Sequence, residues 1–135
     1  MKNIVLLAII TGCFLAFSCT EKESERFRLL TTPTWEPDSL LANGVDASGP
    51  GELLADFLGD AKFNEDGTGT FGQFTGTWKF NLDETELIIT TESLAIPVVA
   101  DIVELTSQSL KITAILPNPQ DLQNPYNIRM TFKAK

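Results

Sequence analysis

The 135-residue chain contains no histidine, and its two cysteines, Cys13 and Cys19, both fall near its amino end. These absences exclude Ser-His-Asp and Cys-His nucleophilic catalysis and remove the commonest zinc ligands. They also rule out an intramolecular disulfide in the body of the chain. Basic residues are scarce as well: ten Lys and Arg against eighteen Asp and Glu give a formal net charge of -8. The few cations are scattered, so the grouped positive surface that neutralises phosphates is missing and nucleic-acid binding is not expected. No P-loop or dinucleotide fingerprint is present, so no cofactor is expected. A carboxylate pair of the glycosidase kind is chemically open. Nothing selects two of the eighteen acids for it, so no catalytic residue is assigned and an enzyme is not expected.

A long apolar run is also lacking. The longest, Ile4 to Phe17, is 14 residues and is interrupted by Thr11 and Gly12, whereas a helix needs about 20 apolar residues to span a bilayer. It is preceded by the cationic start Met1-Lys2-Asn3 and followed by Ser18-Cys19 and the polar stretch from Thr20 to Glu25. Charged start, apolar middle and small residues before a boundary are the three parts of a signal peptide. The boundary resembles the lipobox of Gram-negative lipoproteins, in which small residues precede a cysteine that is acylated and becomes the new amino terminus. Ile10-Thr11-Gly12-Cys13 matches the lipobox more closely, but choosing Cys13 would leave Phe14-Leu15-Ala16-Phe17 as an exposed apolar start, so Cys19 is the expected lipidation site. The resemblance implies a leader over residues 1–18, an acidic tether over 19–26 and attachment to the membrane through Cys19 in the cell envelope. Glu21, Glu23 and Glu25 look like the acidic signal that sends some lipoproteins to the outer face of the outer membrane, and they equally suit a solvated tether.

The remaining stretch, 27–135, is one domain's length with no composition break. Phe27 to Trp35, with Pro33 near its end, reads as a first, kinked strand, and Glu36 to Gly51 as a loop because of Asn43-Gly44, Gly49-Pro50 and Gly51. Leu54, Phe57 and Leu58 stand at helical spacing, so Glu52 to Leu58 predicts a two-turn helix. Ala61 and Phe63 alternate with polar residues, and Glu65-Asp66-Gly67 turns the chain into a strand from Thr68 to Phe74. Thr75-Gly76 reads as the next turn, after which Trp78, Phe80 and Leu82 share one face. Asp83-Glu84 reverses the chain into Glu86 to Thr91. Ile96 to Thr106 is strand-like with faulty alternation at Asp101 and Glu104, which predicts either a bulge or burial of both faces. After a turn at Ser107-Gln108, the set Leu110, Ile112, Ala114 forms a face, Pro117 to Pro125 is a loop, and Ile128, Met130, Phe132 mark a last strand. The expectation is a mainly β fold: an antiparallel meander of about eight strands, closed or strongly curled into a barrel, with one short helix.

Asn64-Glu65-Asp66-Gly67 invites comparison with a calcium loop. With Gly67 at the sixth position, the first and twelfth ligands would be Lys62 and Gln73, so the EF-hand pattern fails at both ends and a hairpin turn is expected, with no metal. Trp35, Phe57, Phe63, Phe71, Trp78 and Phe80 either line a hydrophobic cavity or fill the core, since a barrel of eight strands is barely wide enough for packed side chains.

An acylated Cys, a tether, an early strand ending in Trp35, and the hairpin Phe63-Asn64-Glu65-Asp66-Gly67-Thr68 occur together. Gly76-Thr77-Trp78 and the hairpin from Ile102-Val103-Glu104-Leu105-Thr106 to Leu110 follow them. In this order they resemble the lipocalin-like lipoproteins of Gram-negative bacteria, with Pro33-Thr34-Trp35 standing where lipocalins have Gly-x-Trp. The resemblance implies a lipid-anchored barrel that binds a small hydrophobic or amphipathic ligand, with the Glu52 to Leu58 segment as a lid. The alternative is a packed barrel whose long polar loops engage another envelope protein or a surface polymer.

Overall fold

The structure, a computed structural model, describes residues 23–135. The leader and Cys19 lie outside the described residues. Seven strands follow one another as an antiparallel meander: β3 (Ala61–Phe63), β4 (Thr68–Phe71), β5 (Phe74–Phe80), β6 (Glu86–Thr91), β7 (Val98–Leu105), β8 (Ser109–Leu116) and β9 (Tyr126–Ala134). β1 (Trp35–Ala42) pairs with β9 on one side and with β3 on the other, which closes eight strands into a lipocalin-like barrel. β2 (Val45–Asp46) is an extra strand on β1, reached through the two-residue turn Asn43-Gly44. Both turn residues have positive φ, 52° and 79°, the conformation that favours Asn-Gly in tight hairpins.

Alternation puts one face of each of the eight barrel strands inside, while both residues of β2 are exposed. The interior is filled by, among others, Trp35 and Leu40 from β1, Phe63 from β3, Trp78 from β5, Leu87 from β6 and Leu110 from β8. Two strands break the period of two and each carries a bulge at the break. On β7, Ile102 faces Ile112 while Leu105 faces Leu110, and the register shifts between Ile102 and Glu104. The extra residue keeps two apolar side chains inside despite their odd spacing. Glu104 is thereby turned outward to accept hydrogen bonds from Ser109 Oγ at 2.6 Å and an ion pair from Lys111 at 3.2 Å. On β1 the same device, between Pro37 and Ser39, reconciles inward Trp35 with inward Leu40.

One end of the barrel is closed by α1 (Glu25–Thr31). Ser24 caps this helix by accepting the Phe27 amide at 3.1 Å, and Glu25 stands in its first turn, both favourable at a helix start. Buried Leu30 points at the core and Phe27 stacks on Trp78 with ring centroids 5.7 Å apart. The helix is pinned at its start to the β5–β6 turn: Ser24 Oγ donates to the Glu84 carboxylate at 2.6 Å and Arg26 Nε to the Glu84 carbonyl at 2.8 Å. At its end, Lys62 Nζ donates to the carbonyls of Thr31, Thr32 and Pro33 at 2.6, 3.1 and 3.1 Å.

Five sequence expectations are corrected. Phe27 to Thr31 is helix and not strand, because Ser24 supplies a cap and Phe27, Leu30 and Thr31 share a helical face. Glu36 to Ala42, read as loop, is most of β1, whose polar side chains face out while the β9 ladder holds its backbone. The Glu52 to Leu58 helix is only a 3₁₀ turn over Ala55–Phe57, without a side-chain cap. Thr75 and Gly76 lie inside β5, the turn falling earlier at Gly72-Gln73, and Leu82 is fully exposed in the turn after β5 instead of sharing a face with Trp78 and Phe80. The bulge near Asp101 and Glu104, the hairpin at Glu65 to Gly67, and the faces of β8 and β9 stand where the sequence puts them.

Two outcomes are expected. Lys62→Met, which strips three carbonyls of a charged donor, lowers the free energy of unfolding in urea by about 2 kcal/mol, whereas Lys79→Met on the exposed wall changes it by less than about 0.5 kcal/mol. The Asp66 carboxylate accepts hydrogen bonds from the Thr68 hydroxyl and amide, which hold its pKa below the ordinary 3.8. A lowered folded-state pKa contributes stability that is complete above the ordinary value and is lost as pH falls through the lowered one. Unfolding midpoints measured from about pH 5 to about pH 2 therefore fall less steeply in Asp66→Asn than in the unaltered protein.

Candidate functional site

The two ends of the barrel differ in what covers them. The end that carries the β3–β4, β5–β6 and β7–β8 turns is sealed by α1 and filled with aromatic rings: Phe63 meets Trp78 edge-on at 5.6 Å, and Trp78 meets Phe80 at 5.5 Å. The opposite end carries the β1–β2 hairpin, the segment 47–60, and the β4–β5, β6–β7 and β8–β9 connections. Among the described residues no α-helix covers it, and the side chains inside it include the aliphatic and partly small Val98, Ala100, Ala114 and Leu116.

Phe57 stands over this open end. Its ring stacks against Phe74 at 4.7 Å, and the turn that carries it is tied to the β4–β5 hairpin by the Gln73 amide, which donates to the Asp56 carbonyl at 2.7 Å. The approach is so close that a Cβ on Gly72 would collide with the Asp56 carbonyl and the Phe57 backbone, and Gly72 has a positive φ of 61°. Only glycine suits both conditions.

Below Phe57 lie two small voids of about 30 Å³ each with wholly apolar walls. One is bounded by Val98, Ala100, Ala114 and Leu116, the other by Ala61, Phe63, Phe71 and Gly72, and Phe57, Ile89, Ile112 and Met130 belong to both. Each void holds no more than a water-sized group, so the interior as it stands is packed, and half-buried Phe57 is one of the four side chains common to both voids.

Of the six aromatic residues singled out in the sequence, the structure brings Phe57, Phe63 and Phe71 to the voids. Trp35, Trp78 and Phe80 belong to the packed closed end. The aliphatic lining from β7, β8 and β9 was not singled out. Its signal is the alanines, Ala100 and Ala114, which stand at inward positions directly across from each other and so leave space that larger residues would fill.

On the outer wall, a groove of about 660 Å³ runs over β7, β8 and β9 beside the β1–β2 hairpin, where Val99 and Ile115 are exposed between Asp101 and Arg129. Among the described residues no group of three or more acidic side chains is placed to hold a metal ion, and no helix is long and apolar enough to cross a membrane. What the open end offers a ligand is apolar contact.

Phe57→Ala is expected to join the voids and open them to solvent. Because the ring is only half buried, unfolding stability falls by about 2 kcal/mol, less than for a fully buried Phe, and an environment-sensitive apolar dye binds more strongly than to the unaltered protein. An unchanged dye signal would show that Phe57 does not gate the space. Comparison with known protein families and with curated proteins finds no match for the chain.

Proposed function

We propose that this chain is an envelope lipoprotein of the lipocalin-like kind, anchored through an acylated Cys19, whose barrel takes up a small hydrophobic or amphipathic molecule through its open end without transforming it. The observation that carries the ligand reading is Phe57: a half-buried ring on a 3₁₀ turn without a side-chain cap lines both apolar voids, together with Ile89, Ile112 and Met130. The turn takes over the part of lid that the sequence suggested for a longer helix.

The anchor reading rests on the leader and on Cys19, and the fold supplies it with a consistent geometry. Five residues from Cys19 to Ser24 reach at most about 18 Å, and α1 begins at the closed end. A lipid anchor there, with two or more chains for stable attachment, holds the closed end at the membrane and turns the mouth away from it.

A second reading, a packed barrel that docks another envelope protein, is favoured by the outer wall. Ile88, Val99 and Ile115 form an apolar row across three adjacent strands, and Ile115 is 68% exposed.

Both readings are tested on protein extracted from host membranes and weighed intact, first denatured and then native. The expected denatured mass begins at Cys19 and carries acyl chains, and the expected native mass carries a stoichiometric small-molecule increment. A mass that begins elsewhere overturns the anchor. An empty barrel that also fails to take up an alkyl probe overturns the ligand reading and leaves the outer wall, where Ile115→Lys would then be expected to abolish partner capture.

A further inference from the structure

Two features of the open end, neither used above, bear on what it admits. The first is the distribution of charge. The connections that surround the mouth, residues 43–60, 72–73, 92–97 and 117–125, contain Asp46, Glu52, Asp56, Glu92 and Asp121 and not one Lys or Arg, while Asp60 in the same stretch is already paired with Lys135 at 2.8 Å. The other cations of the described residues lie on α1 and on the barrel strands, and Lys135, just past β9, is taken up by Asp60. Exposed aliphatic side chains stand among the rim acids: Val45, Leu53, Leu58, Ile96 and Leu122. An alkyl chain is welcome at such a rim, and a carboxylate head is repelled by it. A cation that holds the head is the usual means of selecting a fatty acid, and among the described residues the connections around this mouth carry none of their own, Lys135 being already paired with Asp60.

The second feature is Thr91. It is the last residue of β6, and the buried alternates of that strand, Leu87, Ile89 and Thr91, all point inward. Ile89, two residues deeper on the same face, is a wall of both voids. Thr91 is 5% exposed, and its Oγ1 is the one buried side-chain polar atom among the described residues without a hydrogen-bond partner. The reason is topological. Across the ladder Thr91 faces Gly76, which has no side chain, and on the other side the pairing with β7 ends at Ile89 and Val98, below Thr91. Neither neighbour can satisfy the hydroxyl, and an unsatisfied buried hydroxyl is unfavourable.

We propose that the occupant of the mouth is an uncharged single-chain amphiphile, with its alkyl chain in the space that Phe57 vacates and its hydroxyl or carbonyl oxygen hydrogen-bonded to Thr91 Oγ1. This deepens the ligand reading and rests on it. A charged head cannot take that place, since burial against apolar walls opposes any ion and the rim opposes an anion in particular. The neutral polar group does two things at once: it satisfies Thr91 and fixes how deep the chain sits.

The test compares 1-decanol with decanoate, equal in chain length and different in head charge, by calorimetric titration of the chain from Thr20 onward, which contains the whole described fold. At about 10 mM ionic strength, decanol is expected to bind roughly tenfold more tightly than decanoate, and the gap to narrow severalfold at about 0.5 M, where the Debye length is short. Thr91→Val keeps the shape and removes the hydroxyl. It is expected to unfold at the same or a higher denaturant concentration than the unaltered protein, and to bind decanol roughly fivefold more weakly. Equal binding of the two probes, or a Thr91→Val protein that binds decanol undiminished, overturns this proposal while leaving the mouth as a site. A destabilised Thr91→Val protein also overturns it, because the hydroxyl would then have an internal partner. Failure of both probes to bind overturns the mouth itself, and with it this inference.

Discussion

Closure of the barrel depends on β1, and on its β3 side β1 is held by a single residue pair, Trp35 with Ala61. Everything at that corner reinforces the pair. The indole of Trp35 is fully buried and its Nε1 donates to the Leu30 carbonyl at 3.0 Å, which ties the strand to α1. The Lys135 amide donates to the Thr34 carbonyl at 2.8 Å, which brings in the end of β9. A buried Trp is tolerated where its N–H has a partner, and here the partner is the helix that seals the barrel. Away from this corner β1 and β3 separate, and the chain between β2 and β3 fills the gap. The Ala47 amide donates to the Leu40 carbonyl and the Leu54 amide to the Ala47 carbonyl, both at 2.9 Å, with Leu54 fully buried. The same segment runs on into the turn that carries Phe57. The covering of the mouth is thus a by-product of closure: a seam one pair long needs a filler, and the filler ends as the flap.

How much of this is legible in the sequence depends on whether a residue's role is local. Phe63, Trp78, Leu110, Ile112, Met130 and Phe132 alternate with polar neighbours on strands whose partners are adjacent in sequence, so periodicity and turn residues suffice. The irregularity of β7 is legible for the same reason, as Asp101 and Glu104 interrupt the alternation; the pattern leaves a bulge or two-face burial, and the register with β8 decides for the bulge. β1 is not legible. Its first half, Glu36-Pro37-Asp38-Ser39, carries no strand signal, and its pairing is with β9, some ninety positions away. Cross-strand contacts such as the ion pair of Asp38 with Lys133 and the hydroxyl contact of Ser39 with Thr131 at 2.7 Å exist only after that closure. α1 was hidden differently: seven residues are too few for helical periodicity to outweigh β-branched Thr31 and Thr32, and its stability comes from docking rather than propensity.

The candidate site divides along the same line. Aromatic residues announce themselves in a sequence, and of the six only Phe57, Phe63 and Phe71 reach the voids. The features that distinguish the mouth are quieter, consisting of two alanines, a threonine at the end of a strand, a glycine that lets two backbones touch, and the absence of cations from four connections. An alanine is a space only when its cross-strand neighbour is known, and a threonine is unpartnered only when both flanking strands are placed. Composition cannot show either, because each is a property of register.

That division matches how stability is spread through the molecule. The closed end combines a capped helix, five hydrogen bonds from Ser24, Arg26 and Lys62, and an aromatic cluster. The mouth combines an uncapped single turn, long connections and exposed aliphatic side chains. Regions with few buried contacts open at small free energies while packed regions open only with global unfolding. On the ligand reading proposed above, a barrel that admits a guest without losing its walls would need this arrangement, since this core is filled with aromatic rings and leaves no standing cavity. Space can then appear only where a side chain is free to leave. Phe57 is the candidate for that part: it is half buried, sits on a single 3₁₀ turn and lines both voids, while its turn is tied to the wall by the backbone at Gly72 and Gln73 and its ring packs on Phe74.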